Sequence, residues 1–434
     1  MVLALDTLLR KLTAILLALA ASIPLSLSLW SQYRTDFYSR QGTPESLQQA
    51  IALQPGNAEL RNRLGRVLLY SPAGDAARAK TELERAVALD PRTAAYTVDL
   101  ALALELAGDY GGAARAIERA RRAEPRTPAI LWHETNFWLR REQNDRALGL
   151  ARELLRMAPE YTGRAVPLLL RVTTGAALLD DVVPKDVNAY GNVLEAFRRE
   201  DRFDSAAHFW KRTLELGQPL SEGYVRMFVD WVLAHSQTEL AVRAWSDAAN
   251  NGWIDVEPAA LNQPFYNADF RYPLLNFGFD WRVQPHPDAS VWVESGGPRG
   301  GQQSLCVQFA QDARGDYAGV FHFAPVQPAY HYELHATMRA EKLISSAGAW
   351  LQVQEMAPGR SVTPATEPLM GTNPWKEVSL QFETGPETKL VRLALVRPAP
   401  TLKEPPASGL VCVAPLEWKP LGPGRQANGA GAQR

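Results

Sequence analysis

AKTELERAVALDP (residues 79–91), AARAIERARRAEP (113–125) and ALGLARELLRMAP (147–159) decide the fold. Laid over one another, they align Ala79, Ala113 and Ala147, then Leu83, Ile117 and Ala151, then Ala86, Ala120 and Leu154, and end on Pro91, Pro125 and Pro159. Every column repeats at 34 residues, and a shared period of that size is the signature of a stacked repeat. The residue types explain themselves as the second helices of antiparallel helix pairs. Alanines sit where two backbones approach, bulkier apolar residues fill the stripe between them, and a proline stops each helix because it cannot continue the hydrogen-bond ladder.

The pattern extends outward from there. Leu47, Ala50 and Pro55 precede Leu83, Ala86 and Pro91 by 36 residues, and the two extra residues fall in the turn Ser71-Pro72-Ala73-Gly74, where insertion costs little. First helices carry their own stripe: Leu64 and Leu68, then Leu100 and Leu104, with Gly65 and Ala101 as the small positions and Gly108-Asp109 opening a turn. This order of small residue, bulky residue, alanine and proline over 44–160 resembles the tetratricopeptide repeat family, although the first helices lack that family's leading Trp. The resemblance implies an α-solenoid whose concave groove binds protein partners and supplies no catalytic group.

A weaker echo continues to residue 255. Tyr190 and Tyr224, Leu194 and Phe228, and Phe197 and Trp231 are each 34 apart, and the pair Ala206 and Trp210 recurs as Ala241 and Trp245. Two more helix pairs are expected there, with 167–179 as a helix of an irregular unit; an unrelated helical bundle is the competing reading.

Composition sets outer bounds. The chain has 434 residues, 46% hydrophobic and 21% charged, with a formal net charge of −1. That describes a folded protein of two or three domains without a bias toward nucleic acid. The Arg-rich stretch 115–126 interleaves Glu118 and Glu124 and reads as a solvated helix face.

At the N-terminus, Leu12 to Tyr33 contains no charged residue. About 20 apolar residues, at roughly 1.5 Å each, cross a bilayer core of about 30 Å. Arg10 and Lys11 precede this segment, Trp30 and Tyr33 fall where an interfacial aromatic belt would lie, and Pro24 is tolerated in a spanning helix. Residues 1–35 are therefore expected to be a single-pass anchor contacting the membrane through 12–30. A cleaved signal is the alternative, but Ala18-Leu19-Ala20 falls too early in the apolar run to be a good cleavage site. Either reading exports the rest of the chain.

After residue 255 the periodicity changes from helical to alternating. Expected strands are 290–294, 304–311, 318–324, 330–339, 348–355, 377–383, 390–396 and 410–416, with Asn267–Phe270 as an opening strand. That is enough for an antiparallel two-sheet sandwich of jelly-roll type over 256–421, followed by a disordered tail, 422–434. Cys306 and Cys412 each point to the face opposite their apolar neighbours; a cross-strand disulfide and two separate thiols both fit, and neither has metal-ligand spacing.

The stretches Asn267-Ala-Asp-Phe270, Phe279-Asp-Trp-Arg282, Gly301-Gln-Gln-Ser-Leu305, Tyr332-Glu-Leu-His-Ala-Thr-Met-Arg339, Gly371-Thr-Asn-Pro-Trp375 and Gly409-Leu-Val-Cys-Val413 resemble galactose-binding-like, carbohydrate-binding-module-like sandwiches. By that resemblance Trp281 and Arg282 close the domain structurally, and glycan is a candidate ligand. Sugar rings need aromatic faces with polar groups nearby. The candidate glycan contacts are Trp292, Tyr332, Trp350 and Trp375, with Trp418 a further aromatic; packing is the competing role for each.

No catalytic constellation is found. His133-Glu134 lacks a second His four residues on, 296–301 lacks the Lys of a phosphate loop, and no nucleophile elbow occurs. No cofactor or metal is expected. The whole order resembles bacterial inner-membrane proteins of exopolysaccharide assembly and export, with the bulk of the chain periplasmic. It implies a non-enzymatic scaffold binding protein partners and a polysaccharide; a glycan-active hydrolase or lyase with a targeting sandwich is the alternative.

Overall fold

A computed structural model describes residues 8–71, 75–263, 265–357, 363–401 and 403–424. The turn at Pro72–Gly74 and most of the expected tail lie outside the described residues. The chain forms two compact units, Met1–Val172 with Asp180–Pro184, and Thr173–Leu179 with Lys185–Arg434.

The first unit is an α-solenoid of the tetratricopeptide type. Its helices are α1 (Leu8–Gln41), α2 (Pro44–Leu53), α3 (Ala58–Tyr70), α4 (Ala76–Leu89), α5 (Ala94–Leu106), α6 (Tyr110–Ala123), α7 (Pro128–Arg140), α8 (Asn144–Met157) and α9 (Thr162–Leu169). Helices α4, α6 and α8 each stop two residues before Pro91, Pro125 and Pro159, as the repeat predicts. Starts are set by side-chain caps. Asn57, Asp75 and Asp109 accept from the amides of Leu60, Arg78 and Gly112, and Thr43 and Ser46 form a reciprocal box at α2.

The repeating alanines are where the stack is tightest: Ala79, Ala113 and Ala147 are all 0% exposed. Gly65 shows why a side chain is excluded, since a Cβ there would come within 2.5 Å of Leu83 Cγ.

Two local expectations change. α1 runs through the division expected at residue 35, because nothing in the sequence breaks it before Gly42, which takes the left-handed φ of +68°. The helix expected over 167–179 is interrupted: α9 ends at Leu169, and a turn separates it from α10 (Gly175–Ala177), which passes into a π-helical turn at Leu178–Val182.

The second unit continues with α11 (Val187–Arg199), α12 (Ala206–Glu215), α13 (Glu222–Ala234) and α14 (Thr238–Asn250). Tyr190, Phe197, Phe209, Trp210 and Phe228 form its aromatic interior. Then come strands β1 (Arg282–Val283), β2 (Ala289–Ser295), β3 (Gln303–Ala313), β4 (Tyr317–Pro325), β5 (Tyr330–Ile344), β6 (Trp350–Glu355), β7 (Gly371–Glu383), β8 (Leu390–Arg397), β9 (Ala407–Val413) and β10 (Glu417–Pro423).

They make two antiparallel sheets. One has the order β1-β4-β8-β6. In the other, β7 lines one side of β5, β9 and β10 share the opposite side as one interrupted strand, and β3 and β2 follow beyond β9. A single core joins the sheets, with Leu305, Val307 and Phe309 on one and Leu351, Leu393 and Leu395 on the other.

Asn267–Phe270 is not the opening strand. Asn267 and Phe270 have φ of +53° and +56°, so the segment turns instead of extending. Asn267 is buried and braces the turn: its side chain donates to Tyr272 O (3.0 Å) and to Asp280 Oδ1 (3.1 Å). Trp281 is 1% exposed and donates to Asn267 O at 3.1 Å, which is the structural closure expected of it. Arg282 reaches back to α13, with Nη2 2.6 Å from Asp230 Oδ1. On α14, Trp245 meets Phe277, Phe279 and Tyr266 edge-on. The division expected at 255 thus separates two kinds of secondary structure inside one compact unit.

Candidate functional site

Two surfaces gather polar and aromatic side chains, one in each unit. In the solenoid it is the row of first helices α3, α5 and α7. Asn62 donates to Asp99 Oδ2 at 2.9 Å, Arg66 stands 4.0 Å from the same carboxylate, and Arg140 forms a two-pronged pair with Glu105 at 2.7 and 2.9 Å. These contacts hold the three helices in register. Half-buried Tyr96 and Trp132 and exposed His133 lie in the same row, and Asn136 is pinned by its bond to Trp132 O.

The electrostatics of this row are coupled. Partial enclosure raises the Asp99 pKa, opposed by the bond from Asn62 and by the charges of Arg66 and His133. Crowding by neighbouring atoms lowers the His133 pKa even though part of the ring meets solvent; Asp99 pulls it upward, while Arg140 and Arg66 push it further down.

Behind the row, Glu134 is 1% exposed and is shared by Arg121 at 3.2 Å and Arg146 at 3.7 Å. Arg146 also lies over the Trp138 ring at 3.8 Å. Glu134 therefore ties α6, α7 and α8 together, while its neighbour in sequence, His133, is exposed. Of the 115–126 arginines, Arg121 is also 2.6 Å from Glu153 and Arg122 is 3.7 Å from Glu118, while Arg115, Arg119 and Arg126 are exposed, as a solvated face requires.

The second surface is the outer face of the sheet built around β5. Cys306 on β3 and Cys412 on β9 are directly opposed in the ladder and joined by a disulfide. Trp292 on β2 opposes Cys306, and Arg339 on β5 opposes Cys412, so one row reads Trp292, Cys306, Cys412, Arg339. Glu294 Oε1 accepts from Arg339 Nη2 at 2.5 Å, and Glu294 Oε2 accepts from Trp292 Nε1 at 3.1 Å. Arg339 also lies over the Trp375 ring, 5.3 Å from its centroid. Two tryptophans thus flank an ion pair that covers the disulfide, whose cysteines are both 0% exposed.

Beside Trp375 the face carries a depression of about 480 Å³, lined by Arg299, Gln302, His335, Glu377 and Lys419 among others. Hydrogen-bonding groups of both signs next to an indole are the chemistry a sugar ring requires. Glu294 and the two sulfurs lie within 4.8 Å of one another, but sulfurs bonded to each other are not available as metal ligands.

The four sequence candidates are therefore separated. Trp292, 38% exposed, and half-buried Trp375 belong to this face. Trp350 stands on β6 in the other sheet, bonded to Gln352 Oε1 at 3.2 Å. Tyr332 is corrected to the core: only 5% exposed, it stacks on Phe382 and offers no free face to a ligand. Trp418, 6% exposed, packs with it. Sequence reasoning missed Arg339 and Glu294. Their alternation with Met338 and Val293 marks them as outward, but only the strand order brings them together.

No family model matches the chain, and no curated protein matches it. Solved structures similar to part of it include MamA, at 17% identity over 40% of this chain and 86% of that one, with a TM-score of 0.26. YrrB, described as a TPR protein with an unusual peptide-binding site, matches at 15% identity over 48% and 93%, with a TM-score of 0.25. PilF of Pseudomonas aeruginosa matches at 15% over 44% and 90%, with a TM-score of 0.27. A tailspike enzymatic domain of bacteriophage CBA120 matches at 9% over 37% of this chain, which spans 22% of that one, with a TM-score of 0.28.

Proposed function

We propose that this chain is a membrane-anchored interaction scaffold of exopolysaccharide assembly or export. The row of first helices takes an extended segment of a protein partner, and the outer face of the β5 sheet takes glycan. Helix α1 is the anchor: Ile15–Gln41 is long and apolar enough to cross a bilayer, and none of its most apolar window is buried in the protein. The remainder lies in the periplasm, a placement that agrees with the Cys306–Cys412 disulfide, since such bonds persist in oxidising compartments.

The observation that carries the scaffold reading is the row Arg66, Tyr96, Asp99, His133. Polar and aromatic groups are held in fixed register on rigid helices, with the packed core directly behind them. Detergent-solubilised full-length protein carrying Arg66→Ala and His133→Ala, both exposed positions, tests it by affinity capture from membranes. Loss of the proteins captured by the wild type supports the groove, and an unchanged set removes it. The glycan half is tested separately by affinity electrophoresis in polysaccharide gels, where Trp292→Ala with Trp375→Ala should abolish any retardation. New reducing ends released by the wild type would replace the scaffold with an enzyme.

A further inference from the structure

Beyond Ser31, helix α1 has two distinct faces. One packs on the array: Thr35 and Ser39 are buried, Tyr38 rests on the cluster of Leu47, Leu60 and Leu64, and Arg63 donates to Ser39 O at 2.7 Å. The spanning helix is therefore also a helix of the first hairpin, α1–α2, and no linker separates anchor from repeats.

The other face is a stripe at helical spacing: Trp30, Tyr33, Arg34, Phe37 and Arg40. Trp30, Tyr33 and Phe37 are 60%, 62% and 52% exposed, and both arginines are exposed. Asp36, the one acidic residue between Trp30 and Gln41, is exposed at the edge of the stripe, three residues after Tyr33 and four before Arg40, and leaves the two arginines in excess. Leu12 to Tyr33 measures about 33 Å at roughly 1.5 Å per residue, which fills a hydrocarbon core of about 30 Å. Phe37 then stands about 6 Å further on, at the depth of the headgroups. Amphipathic rings and arginines are the side chains that settle there: the ring bodies meet acyl chains and the guanidinium groups meet phosphates.

We infer that this stripe is a lipid-headgroup surface, so that the first hairpin of the repeat array rests on the bilayer as well as being tethered to it. The inference depends on α1 being the anchor. The partner is the phosphate layer of an anionic membrane; what singles it out over a soluble partner is the stripe's continuity with the exposed apolar segment below it.

The test uses the full chain in vesicles of phosphatidylcholine with phosphatidylglycerol. An environment-sensitive fluorophore is attached to Phe37→Cys, the native cysteines being bonded to each other, and compared with the same label at Tyr70→Cys, which is 66% exposed at the end of α3. The expected result is flotation with the vesicles, shielding of the Phe37 label from aqueous iodide relative to Tyr70, and quenching by headgroup-attached spin labels. Adding Arg34→Glu and Arg40→Glu should raise iodide access several-fold without loss of flotation. A chain that floats with its Phe37 label as accessible as that at Tyr70, or indifferent to the arginine changes, overturns the inference alone. A chain that does not float removes the anchor reading and the inference together.

Discussion

Arg339 Nη2 lies 2.5 Å from Glu294 Oε1, and the pair bridges from β5 to β2 over the Cys306–Cys412 disulfide. Long side chains lying flat on a sheet keep solvent, and any soluble reductant, from the sulfurs beneath them. Glu294→Ala should therefore accelerate reduction of the folded protein by dithiothreitol, followed by thiol alkylation; equal rates for variant and wild type would show that the pair is no shield.

The same disulfide closes a separation of 106 residues between β3 and β9. Loop-entropy arguments give such a cross-link about 2–4 kcal/mol after allowance for native-state effects. Cys306→Ala with Cys412→Ala should lower the unfolding free energy of the second unit by that amount in denaturant titrations, while leaving the helical signal of the first unit in place.

Gly278 adopts φ of +57°, and a Cβ there would come 2.3 Å from the Trp245 ring. Gly278→Ala must both strain the backbone and displace an aromatic that is itself enclosed, for a cost of about 2–4 kcal/mol. Gly65→Ala meets a flexible leucine instead and should cost about 1–3 kcal/mol. Thermal unfolding of the two variants ranks them, and the reverse order would contradict the packing at Trp245.

Two buried groups near the opening of the sandwich titrate in opposition. Burial raises Asp280 to about 6, against the bonds it receives from Leu275, Trp281 and Asn267. Burial lowers His322 to about 3, against its hydrogen bonds to the backbone at Tyr266 and Phe323. Between pH 4 and 6 the native state keeps a proton on Asp280 that the unfolded chain has released, so this group makes stability fall as pH rises. Over the same range the unfolded chain protonates its histidine while the native state does not, so His322 makes stability rise with pH. The wild type should show little net slope from this pair. Asp280→Asn should leave a rising curve and His322→Gln a falling one, each of about 1–3 kcal/mol across the interval. Denaturant midpoints measured from pH 4 to 6.5 decide it, and parallel curves for all three proteins would refute the pairing.

What could be read from the sequence followed a rule about spacing. The prolines at 91, 125 and 159 and the alanines at 79, 113 and 147 announce helix ends and close approaches because each repeat solves the same packing problem in the same place. Alternation located most strands for a similar reason, and it put Cys306 and Cys412 on a common side. Contacts without a period were invisible. Nothing in the spacing of Asp230 and Arg282, Trp245 and Gly278, or Glu294 and Arg339 brings them together; strand order and the turn at Asn267–Phe270 do. Tyr332 shares the parity of Leu334, Ala336 and Met338 on β5, so alternation points it to the core; its aromatic ring is what makes it a candidate for glycan.

A stack of identical units has no intrinsic last member, since each leaves an oily flank for the next. Within the second unit, Trp245 on α14 meets Tyr266, Phe277 and Phe279 where another hairpin could pack. Those three rings cover the flank of α14 that a further hairpin would otherwise take.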